Sequence, residues 1–311
     1  MSRRSIGVAV DIGSGTVRAV LAEARPDGGI GLVGAGQCPS AGLRKGVVVD
    51  IEAVGAAMAN AVAMAESASG SAVSSALIGV SGSHLISAPS LGRTTVAAPG
   101  REITPDDVER ALESCEQAGV APDREILQVV PREFAVDGQP GIHRPVGMSG
   151  AILEVDAQVI TGSSTALQNV RRAAARANLE VDGMTLQSVA CARAALTPEE
   201  AESGAVVLDI GLATTDIAVY RDGGLLHASM VPIGGGHVTN DIALVLKVPV
   251  AYAEDLKLRH GAAVAADISP DDKCGGDAGV SRQMLCQIIE ARINQLFDRV
   301  RRDLVEVGLY G

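Results

Sequence analysis

One short pattern occurs twice in this chain and restricts its fold more than any other feature. Val8-Ala9-Val10-Asp11-Ile12-Gly13-Ser14-Gly15-Thr16 returns about 200 residues later as Val206-Val207-Leu208-Asp209-Ile210-Gly211-Leu212-Ala213-Thr214. Each copy is an apolar run ending in Asp-Ile-Gly, then a short turn and a threonine. Strand-like runs follow, Val17–Glu23 after the first and Thr215–Arg221 after the second. A repeated strand–loop–strand unit implies two related subdomains, with a cleft between them as the natural ligand site.

The chemistry of such loops is that of phosphate binding. A tight turn between strands points successive backbone N–H groups into one concavity, and glycine lets an anion approach closely. Gly13, Ser14, Gly15 and Thr16 supply these groups in the first copy, and Gly211, Thr214 and Thr215 in the second. Asp11 and Asp209, at the strand ends, are suited to hold Mg²⁺ through water. Either loop alone is equally a plain hairpin turn; two in register favour the phosphate reading. The opening is not a Rossmann one, because the glycine loop leads into a strand, and Asp27-Gly28-Gly29 then turns the chain into a third strand at Ile30–Val33.

Two later features extend the site. Gly234, Gly235 and Gly236 directly precede a helix expected at about 237–246, which places phosphate at a positive helix end or forms a flexible turn. Glu254 and Lys257 lie three apart on one helix face, as a grip on a ribose and a base or as a surface ion pair.

The spacing of apolar residues predicts helices over 50–70, from Thr104-Pro105 to about Gly119, over 164–177 and over 190–196. Strands are expected at 5–11, 76–81, 126–130, 134–136, 153–161 and 181–188, with loops over 137–150 and 271–276. The core must be aliphatic, because the 311 residues include no Trp, two Phe and three Tyr. Leu285, Ile289, Ile293, Leu296, Val300 and Leu304 form one stripe over 281–305. Its opposite face mixes Glu290, Asp298 and Asp303 with arginines, so the stripe is expected to pack within the protein rather than on a membrane, which prefers a basic face.

Other classes are disfavoured. A net charge of −11 with scattered basic residues argues against a nucleic-acid partner. Cys38, Cys115, Cys191, Cys274 and Cys286 lie far apart and form no C-x-x-C pair, so free thiols are expected rather than disulfides or zinc. No run is long enough to span a bilayer, and the N-terminus lacks the marks of a signal peptide. The histidines do not cluster, and His84 and His143 are expected to be structural. A sugar-kinase activity lacks an evident carboxylate base.

The ordered elements resemble the actin, heat-shock chaperone and sugar-kinase superfamily, an α/β fold of two related subdomains around a nucleotide cleft. Within it the chain resembles the FtsA family of bacterial cell-division proteins. The resemblance is carried by Cys38-Pro39-Ser40 through Glu52, Val80–Ser87, Val129–Gly138, Gly141–Gly150 with its Pro145-Val146-Gly147-Met148-Ser149-Gly150, the second loop, and Ala253–Gly261. It implies subdomain 1A at 1–83 and 163–202, an inserted SHS2-like subdomain 1C at 84–162, an incomplete 2A at 203–240, and 2B at 241–311. It further implies ATP and Mg²⁺ as ligands and self-association into filaments. FtsZ, through its C-terminal peptide on 2B, is the implied partner, with later divisome proteins recruited through 1C. The implied location is the cytoplasm, at the cytoplasmic face of the inner membrane at the division site, with a C-terminal amphipathic helix as the anchor. Gly13, Ser14, Gly15 and Thr16 would cradle phosphate, facing Gly211 and Thr214; Gly235 and Gly236 would approach the α-phosphate side, and Glu254 and Lys257 would hold the adenosine. The family carries two further glycines where this chain has Leu212 and Ala213, and its second adenosine loop and membrane helix are expected beyond Gly311. Gln187 is present to orient water without an acid beside it, so at most slow ATP hydrolysis is expected. A PilM-like adaptor of pilus assembly, similar in its Asp-Ile-Gly-x-x-x-Thr form, is the alternative, as is a truncated, non-functional member of the same family.

Overall fold

The computed structural model describes residues 6–96, 102–116, 119–276 and 279–310. The expected strand residue Ser5, and Gln117 and Ala118 at the expected end of the second helix, lie outside the described residues. The chain divides into two compact units. The first comprises Met1–Asp209 and Asp216–Met230, the second Ile210–Thr215 and Val231–Gly311.

The first unit contains a five-stranded sheet in the order β11-β6-β1-β2-β3. The strands β1 (Ile6–Ile12), β2 (Thr16–Ala24) and β3 (Ile30–Pro39) form the antiparallel meander that the turn signals predicted. The strand β6 (Ser75–Val80) adds in parallel to β1, and β11 (Glu180–Leu186) in parallel to β6. Helix α1 (Ile51–Ser69) begins where the Asp50 side chain accepts from Ala53 N–H at 3.0 Å and ends at Gly70, which adopts φ 69°. It lies so close to β3 that side chains at two strand positions have no room. A Cβ on Gly36 would meet the Ala61 carbonyl at 2.1 Å, and one on Gly34 the Ala65 carbonyl at 2.6 Å. Glycine on the strand and alanine on the helix thus replace the absent large aromatics: the layers approach until backbone touches backbone. Val10, Val17, Leu21, Val54, Met58 and Ile78 fill this core, with Val170 of α3 (Ser164–Arg176).

A second sheet has the order β7-β10-β8-β9. Strand β7 (Leu85–Thr95) was not legible in the sequence, because Pro89 and Gly92 interrupt it. It is an edge strand, where proline's missing N–H is tolerated, and Gly92 admits α2 (Pro105–Glu116), whose Ala111 carbonyl would lie 2.2 Å from a Cβ there. The two short strands expected around Pro131 are one, β8 (Arg124–Val136). Pro131 stands opposite Ala157 of β10 (Ile152–Ser163) and Glu133 opposite Asp156, so the register shifts at Arg132 and a bulge lies directly beside the proline that would break the ladder. The expected loop over 137–150 also contains a strand, β9 (Gln139–Ile142), paired with β8. A third sheet joins β12 (Ala205–Ile210), β13 (Thr215–Arg221) and β14 (Gly224–Val231). Ala218, Tyr220, Leu225 and Ala228 pack with Leu186, Val189 and Ala192 of the segment leading through α4 (Gln187–Ala195). The short α5 (Pro198–Ser203) opens on a capping box between Thr197 and Glu200.

The second unit is built on α6 (Gly235–Leu246), α7 (Val250–His260) and α8 (Arg282–Glu306). The stretch over 271–276 is not a plain loop: β15 (Lys273–Cys274) pairs with β16 (Val280–Ser281). The apolar stripe of α8 is buried at Leu285, Ile289, Leu296, Val300 and Leu304. Arg292 of α8 binds Asp241 of α6 through both carboxylate oxygens, at 2.6 and 2.8 Å.

Gly36→Ala, with its Cβ driven into a helix carbonyl, is expected to lower stability by about 1–3 kcal/mol in urea unfolding. Gly28→Ala is strained by its φ of 83° but meets nothing within 4 Å. It is expected to cost about 1 kcal/mol.

Candidate functional site

Both loops close with the same backbone hydrogen bond. Gly13 N–H donates to the Thr16 carbonyl at 3.2 Å, and Gly211 N–H to the Thr214 carbonyl at 2.9 Å. The repeat seen in the sequence is therefore a repeat of one turn. Gly13 must lack a side chain, since a Cβ would lie 2.7 Å from the Thr16 oxygen. Among the described residues, no backbone carbonyl accepts from the N–H groups at the tips, Ser14 and Gly15 in the first loop, Leu212 and Ala213 in the second. Both tips are therefore able to act as anion-binding nests.

In the first unit, acidic groups gather at the strand ends. Asp11 accepts a hydrogen bond from Gln187 Nε2 and faces Arg18 Nη1 at 3.5 Å. Burial raises the pKa of Asp11; Arg18 opposes this, and the neighbouring charge of Asp209 adds to it. Asp209 accepts from the Cys191 thiol, Sγ to Oδ2 at 3.4 Å. Burial, with the charge of Asp209 next, pushes that thiol up to about 12. Asp216 is almost fully buried, and its Oδ1 accepts from the Ser81 hydroxyl at 2.5 Å. Burial raises it to about 6, against the Ser81 hydrogen bond and with help from Asp209 and Asp11.

The donor chemistry suits Mg²⁺. Asp11 and Asp209 are hard oxygen ligands, and the charge of Asp209 adds to the upward shifts of Asp11 and Asp216, which marks a place where a cation would relieve repulsion. Among the described residues, no group of three or more His, Cys, Asp or Glu side chains is placed to ligate an ion directly.

Asp216, Ser81, Arg18 and Cys191 were not singled out as site residues from the sequence. A signal for two of them existed in the repeat. Aligning Thr16-Val17-Arg18 with Thr214-Thr215-Asp216 puts Arg18 and Asp216 at the same register position with opposite charge. Ser81 and Cys191 carried no such signal, because tertiary folding alone brings them to Asp216 and Asp209.

In the second unit, Thr215 is fully buried and donates its hydroxyl to the Ile233 carbonyl at 2.8 Å, an anchoring role. Thr214 is also buried. Gly235 and Gly236 stand at the start of α6, with Gly234 as its cap. Glu254 and Lys257 do meet, at 2.7 Å, and both turn towards α6 rather than lying as a solvated surface pair. The Thr239 hydroxyl donates to Glu254, while Lys257 Nζ reaches Thr239 Oγ1 at 3.0 Å and the Gly235 carbonyl at 3.3 Å. Burial pushes the Glu254 carboxyl up, but the hydrogen bonds from Lys257 and Thr239 outweigh it and leave it low.

His84, expected to be structural, is partly buried, and among the described residues neither ring nitrogen has a hydrogen-bond partner. Burial, then Arg124, lowers its pKa.

Asp216 makes stability depend on pH. The folded protein holds its proton up to about pH 6, the unfolded chain only to 3.8, so the folded state binds more protons between these values. Stability from this group is therefore present below 3.8 and is lost as pH rises to about 6. Asp216→Asn, which keeps an acceptor for Ser81, is expected to raise stability at neutral pH by up to about 3 kcal/mol. Urea unfolding at several pH values should show that gain vanish in acid.

Comparison with known proteins gives this geometry a family. Residues 82–161 match the family model "SHS2 domain inserted in FTSA", and residues 206–295 match that of "Cell division protein FtsA". The chain is 37% identical to the cell division protein FtsA of Pseudomonas aeruginosa, over 97% of this chain and 73% of that protein. It is 37% identical to that of Borreliella burgdorferi, over 100% and 77%. For Escherichia coli K12 the identity is 33%, over 98% and 74%. Among solved structures, the PilM–PilN type IV pilus biogenesis complex aligns with TM-score 0.67 at 17% identity, covering 99% of this chain and 79% of its own. MreB5 of Spiroplasma citri, solved with ADP, aligns with TM-score 0.52 at 13% identity, covering 97% and 78%. These two likenesses bear on the fold alone, which is the actin-like ATPase fold. With both family models and relatives matched along nearly its whole length, this chain belongs to the FtsA family of cell division proteins.

Proposed function

We propose that this chain binds ATP with Mg²⁺, self-associates into actin-like filaments and links FtsZ filaments to the cytoplasmic membrane. The observation that carries the nucleotide part is the identical closure of the two loops, each with open amides at its tip and an aspartate at the end of its first strand. In this reading Gly13, Ser14, Gly15 and Thr16 hold phosphate, as do the amides of the Gly211–Thr214 turn. Asp11 and Asp209 orient the waters of Mg²⁺. Glu254 and Lys257, set by Thr239, are the groups for the adenosine. Mg²⁺ would neutralise phosphate charge. The chain's own part in hydrolysis falls to Gln187, whose amide is fixed on Asp11 and which can orient water. Asp11, the carboxylate that holds it, is given to the waters of Mg²⁺ in this reading, so turnover is slow, and ATP acts mainly as a structural ligand and polymerisation switch.

The partners follow from the family. The second unit would take the FtsZ C-terminal peptide, and the SHS2-like segment would recruit later divisome proteins. The place of action is the cytoplasmic face of the inner membrane at the division site, with membrane contact made by the family's C-terminal amphipathic helix. The likeness to PilM is one of fold, and no observation on this chain favours a pilus partner.

Calorimetry with ATP and Mg²⁺ is expected to show binding that Asp11→Asn or Asp209→Asn weakens by roughly tenfold. No heat at millimolar ATP would remove the nucleotide reading. Immobilised FtsZ C-terminal peptide is expected to capture the chain, and failure to capture it would remove the FtsZ assignment.

A further inference from the structure

The start of α6 looks like a phosphate site in the sequence but is closed in the structure. A helix leaves its first four N–H groups without intrahelical partners, which is what makes its N-terminus bind anions. Here all of them are taken. Gly235 N–H donates to the Gly211 carbonyl and Gly236 N–H to the Leu212 carbonyl, both at 2.8 Å. Gly234 N–H donates to Nδ1 of His237 at 3.1 Å, and His237 N–H returns to the Gly234 carbonyl at 3.0 Å. The acceptors of the first two bonds are carbonyls of the second loop itself.

The room around each glycine gives the run a different purpose. A Cβ on Gly234 would stand 2.5 Å from the Gly211 oxygen and 2.7 Å from the Leu212 carbonyl carbon. One on Gly236 would stand 2.9 Å from the Leu212 oxygen, 3.0 Å from its Cδ1 and 3.2 Å from its Cγ. Gly235 is not crowded, since its Cβ would meet only Lys257 Nζ at 3.6 Å and the Gly211 oxygen at 3.7 Å. Leu212 thus lays its side chain over Gly236, folded onto α6.

We infer that Gly234 and Gly236 form a clamp that receives the second loop, with Leu212 seated on Gly236, and that α6 itself contacts no phosphate. Leu212 and Gly236 are a matched pair. The missing side chain at 236 is what lets a bulky residue occupy the loop while the amides of Leu212 and Ala213 stay open. Gly236 is then a positioning residue that acts on the nucleotide through the loop. This role rests on the ATP reading above, but the clamp has consequences without any ligand.

The test is a double-mutant cycle on the full chain, with Leu212→Ala, Gly236→Ala, their combination, and Gly235→Ala. It is read by urea unfolding and by ATP–Mg²⁺ calorimetry. Gly236→Ala should lower the urea midpoint and weaken ATP binding by roughly tenfold, because Leu212 must move. Adding Leu212→Ala should recover a substantial part of both losses, the remainder reflecting the carbonyl contact. Gly235→Ala should leave the urea midpoint in place. Strict additivity of the two substitutions would overturn the clamp. So would a Gly235→Ala protein with a normal midpoint whose loss of ATP affinity equals that of Gly236→Ala, because that pattern belongs to a helix start that touches phosphate. If the unsubstituted chain binds no ATP, the nucleotide reading fails, and coupling in the urea midpoints still decides the clamp.

Discussion

A single backbone hydrogen bond, from the glycine after Asp-Ile to the carbonyl of the threonine three residues on, holds each of the two loops in shape. It makes the turn tight enough that a glycine is required at Gly13, where the threonine oxygen would stand 2.7 Å from a Cβ. Among the described residues no backbone carbonyl accepts from the next two N–H groups of either loop. Several of the polar groups described above meet at these turns. Gln187, Arg18 and Asp209 act on Asp11, Cys191 meets Asp209, and α6 is pinned to Gly211 and Leu212.

The first unit pays for this arrangement in carboxylate desolvation. Asp11 and Asp216 are both raised, by burial first, and each feels Asp209. A scaffold selected for stability alone has no reason to gather like charges at the ends of a sheet, and perturbed groups of this kind cluster where ligands bind. The core beside it is built from very close layers. Glycine on β3 against alanine on α1 brings backbone to backbone, which suits a chain with two Phe and no Trp.

Much of this was legible in the sequence. The β1–β3 meander, α1 with its Asp50 and Gly70 ends, the strand-to-helix rhythm after β10 and the buried stripe of α8 follow from local patterning and turn chemistry. What escaped was non-local. Pro89 and Gly92 hid β7, because only its place at a sheet edge and under α2 excuses them. Pro131 divides β8 in the sequence pattern, and a bulge beside it keeps the strand continuous. The residues 139–142 and 273–274 looked like loop because strands so short exist only by virtue of their partners.

The candidate site divides in the same way. The sequence by itself determined that two copies of one turn exist, which residues stand in them and where the aspartates lie, because those properties are local and repeat. Only the tertiary structure decided how the groups are used. The Thr215 hydroxyl is buried and donates to the Ile233 carbonyl, Asp216 is buried on Ser81, and the helix-start amides of Gly235 and Gly236 are bound to loop carbonyls more than 20 residues earlier in the chain. Whether a donor is open or taken depends on which distant acceptor the fold brings to it, and no local pattern of residue types encodes that.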